Sequence, residues 1–347
     1  MGQKGLIFFL SLLFFAGAVG KAVANENFSP VLSLSKKSPL ARLDPKKPED
    51  LDQLLQKISG ALLGKPYKNG PLGESNHDAI DPDPLYRLDI FDCTTFLETV
   101  MANAYCHQSA PKFETCLEKR LRELRYIGGK ISFRSRNHIP ETDWLPNNMR
   151  RGFLEDVNRK IFGDSVVSLK VAFDREQWLA ETLKEPKANS AARPILADFN
   201  YVPIAIFFQP KPLEPAARAL LEKNHALELE KIFGKNDEES KIEKFRAEME
   251  FLKQTMEPVE DKLKAIPSGS ILNLVRGKKP GAMQKSTTET IISHQGLVVQ
   301  KEDTAYIIHA APNVGHVSQQ KLSDYLIRYL KSNKARGISI YKIKSLR

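Results

Sequence analysis

Residues 291–311 read IISHQGLVVQKEDTAYIIHAA, two apolar stretches separated by a short polar one. The pattern predicts two antiparallel strands that form a hairpin, with residues 300–303 as its loop. In that register His294 lies directly opposite His309, with their Cβ atoms about 4.5–5.5 Å apart on one face of the sheet. Two imidazoles at that separation can hydrogen-bond, so that one ring orients the other. The hairpin therefore predicts a paired-histidine site.

The histidine pair admits three interpretations from spacing alone. A base held in place by a third group is what an activated nucleophile requires, which makes the pair a candidate catalytic unit. The pair could instead contribute to a metal site, but zinc needs three or four ligands and no nearby Asp or Glu joins the two on that face. It could also be a hydrogen-bonded polar pair at a sheet edge.

Cys93 follows a residue that favours the start of a helix. Asp92 is a good N-cap, and the apolar residues after it predict a buried helix from Asp92 to about Cys106. A helix N-terminus carries partial positive charge and free amide donors, which favour a thiolate and can hold an oxyanion. The Asp92 carboxylate opposes the thiolate if its charge is directed at the sulfur. Cys93 is a candidate nucleophile, and a buried, unreactive thiol is the alternative.

Apolar periodicity and turn residues predict an α+β fold, with helices first and strands clustered toward the C-terminus. A long loop, rich in Gly, Pro, Asp and Asn, is expected at 64–90, just before Cys93. The predicted helices are 49–63, 92–106, 113–125 and 321–330, and the predicted strands are 126–133, 166–173, 200–208, 270–275, 290–299, 305–311 and 337–343.

Residues 213–265 differ in composition from the rest because they are crowded with Glu and Lys. We interpret them as a charged helical hairpin inserted into a single catalytic domain that spans residues 25–347. The charges are expected to form a solvated face, and a protein partner for this hairpin is the alternative. Its second helix carries a coiled-coil-like seam at Ile242, Phe245, Met249, Leu252 and Met256.

The N-terminal segment has the pattern of a secretory signal. Lys4 precedes an apolar run, and Ala22-Val23-Ala24 provides a small-residue cleavage site, so residues 1–24 are expected to be removed. The apolar run falls short of the roughly 20 residues that a membrane span needs. The sequence therefore predicts a periplasmic or secreted protein with no stable membrane span after cleavage.

Composition and charge further limit the class of protein and the partners that it could bind. The chain has 347 residues, of which 41% are hydrophobic and 27% charged, as in ordinary globular proteins. Its net charge of +10 favours anionic partners, which include cell wall, phospholipid and nucleic acid, and the charge alone does not choose among them. No zinc-finger spacing or basic motif interleaved with aromatic residues points to nucleic acid. Cys106 and Cys116 could pair in an oxidising compartment or could remain buried thiols, and the sequence leaves both open.

Several motifs together resemble the NlpC superfamily, papain-like cysteine hydrolases of bacterial cell walls. The motifs are Asp92-Cys93 opening a helix, Ser293-His294-Gln295-Gly296 opening a strand, and Ile308-His309-Ala310 on the next strand. The segment 64–73 resembles the one that precedes the superfamily's nucleophile. The closer resemblance is to the branch described as N-acetylmuramoyl-L-alanine amidase-like, from about residue 60 to the C-terminus. Its patterns occur in order at 91–98, 125–129, 135–138, 143–144, in the two-histidine hairpin and at 326–340.

The resemblance implies a role for each matching residue. Cys93 would be the nucleophile, His294 the general base and then acid, and His309 the third member that orients it. Tyr67 matches a tyrosine that sits beside the nucleophile and helps to hold the oxyanion. The implied fold is a papain-like core, in which the helix carrying the nucleophile packs on an antiparallel sheet. The implied chemistry needs no metal and no cofactor.

Further residues are candidate substrate contacts. Asp92 is grouped with the oxyanion and substrate-binding candidates, together with Arg136, His138, Asp143 and Trp144. A guanidinium can bind a peptide carboxylate bidentately, and an indole can stack on a sugar face. The alternative is an ordinary loop with an Arg–Asp pair and a half-buried Trp.

Taken together, the sequence predicts a cysteine-dependent hydrolase that cleaves an amide bond in peptidoglycan or muropeptides. The resemblance points to the bond between the muramic lactyl group and L-alanine. One alternative is a peptidoglycan endopeptidase with the same triad. A second is a non-catalytic wall-binding or scaffold protein, and a third is acyl transfer in place of hydrolysis.

Overall fold

The computed structural model describes residues 50–109, 113–187, 189, 191–234, 237–277, 288–332 and 335–346. The expected signal peptide at 1–24 lies outside the described residues.

One antiparallel sheet organises the molecule. Its strands lie in the order β2-β3-β10-β6-β7-β8-β9, with β1 also paired to β10, while β4 and β5 form a separate two-stranded ribbon. The strands are β1 (Leu154–Asp156), β2 (Val167–Phe173), β3 (Ile195–Pro203), β4 (Phe208–Pro210), β5 (Met256–Pro258), β6 (Ser270–Arg276), β7 (Ile292–Lys301), β8 (Thr304–Ala311), β9 (His316–Lys321) and β10 (Ala335–Ile343).

Helices flank this sheet, so the α+β class with an antiparallel sheet is confirmed. The described residues contain no helix that is both long and apolar enough to cross a bilayer. The helices are α1 (Leu51–Ala61), α2 (Cys93–Ser109), α3 (Phe113–Arg125), α4 (Leu145–Arg150), α5 (Asn158–Phe162), α6 (Arg175–Leu183), α7 (Pro215–Ile232), α8 (Glu238–Thr255), α9 (Glu260–Lys264) and α10 (Leu322–Leu326).

The central strands are buried on both faces. Successive side chains of a strand point to opposite faces, so neighbouring residues of β7 belong to different cores. Leu297 packs in the core that includes Leu97 of α2, whereas Val298 packs in the core that includes Leu322 of α10. The sheet therefore holds α2 against one face and α10 against the other.

The helix that begins at Cys93 is wholly internal along most of its length. Phe96, Leu97, Val100 and Met101 are 0% exposed, as the broad apolar face of the sequence predicts. Its end is bonded to α3, because Cys106 and Cys116 form a disulfide. The pairing that the sequence left open is thus made, and Cys93 remains the free cysteine of the described chain.

The strand predicted at 126–133 is wrong. Residues Ile127–Gly129 and Phe133–Ser135 form short 3-10 turns, and a single bridge pairs Tyr126 with Arg136. Gly128 and Gly129 have φ of 66° and 73°, in the left-handed region that interrupts an extended strand. The apolar residues that suggested a strand instead line a compact turn between α3 and the loop that follows.

The predicted helical hairpin is present as α7 and α8. Leu252 is 3% exposed and packs with the sheet core, and Met249 is partly buried against it. Ile242 and Phe245, at the beginning of the predicted seam, are 51% and 50% exposed. The seam therefore packs on the domain at one end only. A partner for the exposed end stays a prediction.

Candidate active site

Asp92 fixes the backbone immediately before Cys93. Its Oδ1 accepts hydrogen bonds from the backbone N–H and the hydroxyl of Thr95, each at 2.8 Å. Its Oδ2 accepts from the backbone N–H of Gly70 at 3.1 Å. Both oxygens are therefore engaged in capping α2 and in holding the preceding loop. Asp92 is an N-cap, as predicted, and its place among the oxyanion and substrate-binding candidates stays a prediction.

The start of α2 is bonded to β7 at the histidine motif. The Thr94 hydroxyl donates to Oε1 of Gln295 at 2.7 Å, and Nε2 of Gln295 donates to Oδ1 of Asn273 at 2.8 Å. The backbone of Gln295 also lies close enough to the Cys93 sulfur to lower the pKa of the thiol. The residue after the candidate nucleophile thus contacts the residue after the candidate base. These contacts bring two motifs that are about 200 residues apart to the same place.

The two histidines are hydrogen-bonded as the sequence predicts, but in a different register. Nε2 of His294 lies 2.6 Å from Nδ1 of His309. Leu297 pairs with Ile308 and Lys301 with Thr304, so the pairing is shifted by two residues from the predicted one. The histidines are diagonal neighbours, not direct ones, and they still share a face because side chains alternate with a period of two.

The shift follows from the turn of the hairpin. The predicted four-residue loop is wrong, since Glu302 and Asp303 alone connect the strands. Their φ angles are 45° and 63°, as a two-residue type I′ turn requires. The shift places Gly296 opposite His309, and a Cβ on Gly296 would lie 3.1 Å from the His309 Cβ. The absent side chain gives His309 the room to lean toward His294.

The protonation states favour a neutral site. Burial, and after it the Asp92 carboxylate, raises the pKa of the Cys93 thiol to about 12. Burial lowers the pKa of His294 to about 4 and, with the charges of His294 and Arg328 added, that of His309 to about 3. The partial positive charge expected at the start of α2 does not offset the effect of burial on the pKa of this thiol. At neutral pH the site therefore holds a thiol and two uncharged imidazoles.

Tyr67 pairs with the segment that leads into Cys93. Its backbone pairs with Phe91 in a parallel bridge, and its N–H donates to the carbonyl of Gly315 at 2.8 Å. Burial raises the pKa of its hydroxyl to about 12, with further contributions from Cys93 and Asp92. The phenol is therefore a protonated donor at neutral pH.

Arg136 is fully engaged with the protein. Its Nε and Nη2 donate to the two carboxylate oxygens of Glu74 at 2.7 and 2.6 Å, and Nη2 also donates to Asp81 at 2.7 Å. The loop at 64–90 is ordered by these bonds. The guanidinium that was expected to bind a substrate carboxylate already binds two carboxylates of this loop, so its substrate role stays a prediction.

Trp144 does not have an exposed ring face. It is 0% exposed, and its Nε1 donates to Oε1 of Glu98 at 3.0 Å. Glu98 in turn pairs with Arg125 at 3.0 Å, and burial raises the pKa of Glu98 to about 7. Stacking on a sugar would need the indole to leave the core. This geometry corrects the expectation of an accessible or half-buried Trp.

His138 and Asp143 are likewise packed with protein partners. Nε2 of His138 lies 2.7 Å from the carbonyl of Phe133, and its ring packs 4.8 Å from that of Trp178. Asp143 is 3% exposed and pairs with Arg175 at 3.1 Å. Asp143 pairs with Arg175 and not with Arg136. These are contacts within an ordered loop, and the substrate roles of His138 and Asp143 stay predictions.

Sequence reasoning did not identify three residues around the histidines. Gln320 contacts the second ring nitrogen of His309 at 2.8 Å, and Arg328 donates to Gln320 at 2.6 Å. Tyr325 is 2% exposed and packs edge-on against His309, with ring centroids 5.3 Å apart. Gln320 was missed because β9 is a short polar strand that the periodicity did not predict. Tyr325 and Arg328 lie in the helix predicted at 321–330, and Arg328 also lies in the matched stretch 326–340, but neither pattern assigned them a role.

The described ranges contain no group of three or more His, Cys, Asp or Glu side chains arranged to hold a metal ion. The interpretation of the histidine pair as part of such a site therefore gains no additional ligand from the described residues.

The class of protein follows from a family model, which is amidase-like and matches most of this α+β chain. The AmiA-like family model, described as N-acetylmuramoyl-L-alanine amidase-like, matches residues 57–338, and the chain belongs to this family. No curated protein sequence matched the chain significantly.

Solved structures show the same fold. Protein LPG0564 from Legionella pneumophila, assigned to the family model DUF1460, is 22% identical, with a TM-score of 0.65 over 91% of this chain and 97% of its own. An N-acetylmuramoyl-L-alanine amidase from Bacteroides uniformis is 20% identical, with a TM-score of 0.53 over 85% of this chain and 99% of its own. A Bacteroides fragilis protein described as a putative xylanase is 21% identical, with a TM-score of 0.51 over 82% and 99% of the two chains.

Proposed function

We propose that this protein is a peptidoglycan amidase that uses Cys93, His294 and His309 as a thiol–imidazole triad, and that its core is of the papain-like NlpC type. The observation that carries the proposal is the junction of α2 and β7. There the first residue of a helix, Cys93, lies against the strand that supplies one of two hydrogen-bonded histidines. Membership of the amidase-like family supports hydrolysis of an amide bond.

The neutral resting state suits a mechanism in which the proton moves as substrate is attacked. Uncharged His294 accepts the Cys93 proton while the sulfur forms a bond to the amide carbonyl carbon. Backbone N–H groups at the start of α2, with the Tyr67 hydroxyl, would stabilise the oxyanion. Protonated His294 then gives its proton to the leaving amine as the C–N bond breaks. Water hydrolyses the thioester and restores the thiol.

The substrate we propose is a muropeptide or peptidoglycan strand, cut between the muramic lactyl group and L-alanine. A net charge of +10 favours the carboxylates of such a substrate. The Cys106–Cys116 disulfide is of a kind that persists in oxidising compartments and supports a periplasmic or secreted location.

Mass spectrometry of products from defined muropeptides tests the proposal. We expect the parent protein to release free stem peptide and intact sugar, and Cys93→Ala and His294→Gln to release neither. His77→Gln is the matched control, because His77 is exposed in the loop before the nucleophile and its loss should leave the rate unchanged.

The other outcomes identify the alternatives. Cys93-dependent cleavage within the stem peptide would replace the amidase by an endopeptidase with the same triad. Binding of muropeptides without cleavage by either the parent protein or Cys93→Ala would contradict the enzymatic proposal and favour a wall-binding protein.

A further inference from the structure

A row of hydrogen-bonded side chains extends beyond the two histidines. His294 on β7, His309 on β8 and Gln320 on β9 lie diagonally across three neighbouring strands. Arg328, in the turn after α10, ends the row. Its Nη2 is 2.6 Å from Oε1 of Gln320, Nε2 of Gln320 is 2.8 Å from Nε2 of His309, and Nδ1 of His309 is 2.6 Å from Nε2 of His294.

The guanidinium of Arg328 sets the direction of every bond in this row. A guanidinium only donates, so the oxygen of the Gln320 carboxamide must face it and the NH₂ group must face His309. Nε2 of His309 then accepts, and the proton of that neutral ring is on Nδ1. This proton is donated to Nε2 of His294, which leaves the proton of neutral His294 on its own Nδ1.

We propose that Gln320 and Arg328 are positioning residues that set the tautomers of both histidines; this inference rests on the proposed function. In the observed orientation the proton of neutral His294 is on Nδ1, the ring nitrogen that is not bonded to His309. A general base that acts through this nitrogen needs a lone pair there. The site becomes competent when Arg328 releases the Gln320 oxygen and the carboxamide turns over. Its oxygen then accepts from Nε2–H of His309, and Nδ1 of His309 accepts from Nε2–H of His294. Each ring releases a proton to water at one nitrogen and takes one up at the other, so the net charge is unchanged.

The other titratable groups that face the pair do not impose this tautomer. Tyr325 packs against both rings, with centroids 5.3 Å from His309 and 6.3 Å from His294, and burial raises its pKa, so it stays neutral. Tyr329 lies behind Tyr325, at 5.4 Å.

On the other side of the pair, the Cys93 thiol is also neutral, and the Asp92 carboxylate is bonded to Thr95 and Gly70. Arg328 therefore remains the charge that acts on this row, and it lowers the pKa of His309.

Long-range ¹⁵N–¹H correlation spectra of the histidine-labelled protein test the proposal directly. The His309 signals are assigned by their loss in His309→Asn. We expect the parent protein to show His309 protonated at Nδ1. Gln320→Glu, which can only accept, should move that proton to Nε2. Gln319→Glu is the matched control, because it places the same charge one residue away, next to Lys301, and should leave the tautomer unchanged.

Kinetics supply the second readout. Gln320→Glu should raise the pKa of the acidic limb of kcat/KM by one unit or more, and Gln319→Glu should not. Should Gln320→Glu fail to fold, Arg328→Met replaces it, and His309 should then show a mixture of tautomers.

The proposal would be overturned if His309 were protonated at Nε2 in the parent protein. It would also be overturned if the His309 tautomer were the same in the parent protein, Gln320→Glu and Arg328→Met. The spectra do not depend on turnover. A protein with the expected tautomers but no Cys93-dependent hydrolysis would therefore contradict the proposed function and leave this inference standing.

Discussion

Gly296→Ala should destabilise the protein and slow catalysis together. A Cβ at this position would lie 2.7 Å from both Cδ1 and Cγ1 of Ile307 and 3.1 Å from Cβ of His309. Ordinary carbon contacts are about 3.5–4.0 Å, so Ile307 would have to move by about 1 Å and His309 by about half that. Ile307 is 0% exposed and belongs to the buried core, so a shift of its side chain would displace its neighbours.

The expected loss is about 1–3 kcal/mol of unfolding free energy, the usual effect of an extra methyl group in a filled core. Moving His309 by about half an ångström would stretch its bond to His294, and we expect kcat to fall roughly tenfold. Urea unfolding and muropeptide turnover measure the two effects. The control is Gly60→Ala in α1, where nothing lies within 4 Å of the new Cβ, and it should stabilise the protein by about 0.5–1 kcal/mol. Equal stability changes in the two variants, or an unaltered kcat in Gly296→Ala, would refute the packing argument.

Three further predictions follow from the buried groups. Burial lowers the pKa of His294 to about 4, and the base acts in its uncharged form. The midpoint of the acidic limb of kcat/KM should therefore lie well below pH 6.5. A midpoint at or above pH 6.5 would contradict the neutral site. Trp144→Phe leaves the Glu98 carboxylate without its indole donor and should lower stability by about 1–3 kcal/mol with KM unchanged, whereas a raised KM at full stability would favour substrate stacking. Replacing Cys106 and Cys116 together by Ser should lower the unfolding free energy by about 2–4 kcal/mol without changing kcat, as differential scanning calorimetry and turnover would show.

The helices, and the position of Cys93 at the start of one of them, were predictable because their signals are local. α3 was predicted with the bounds that the structure has, and the cap and apolar face of α2 lie within one stretch of sequence. The strand predicted at 126–133 failed because Gly128 and Gly129 turn the chain, an effect that apolar periodicity does not register.

The candidate substrate residues show where sequence reasoning stops. A motif places Arg136 and Trp144 near each other along the chain but does not say what they contact. The carboxylate that binds Arg136 comes from Glu74, 62 residues earlier, and the one that binds Trp144 comes from Glu98, 46 residues earlier. The folded chain supplied these partners, and it buries Trp144 completely while Arg136 stays partly exposed.

Apolar alternation was enough to place His294 and His309 on one face of a hairpin, since a side-chain period of two keeps that face through a register error of two residues. Which nitrogen of each ring is engaged follows from contacts that exist only in the folded chain. That depends on Gly296, on the two-residue turn, and on Gln320 and Arg328, which reach the pair from another strand and from the turn beyond it. Hydrogen bonds between segments far apart in the chain leave no periodic pattern in the sequence, and they set the chemistry of this site.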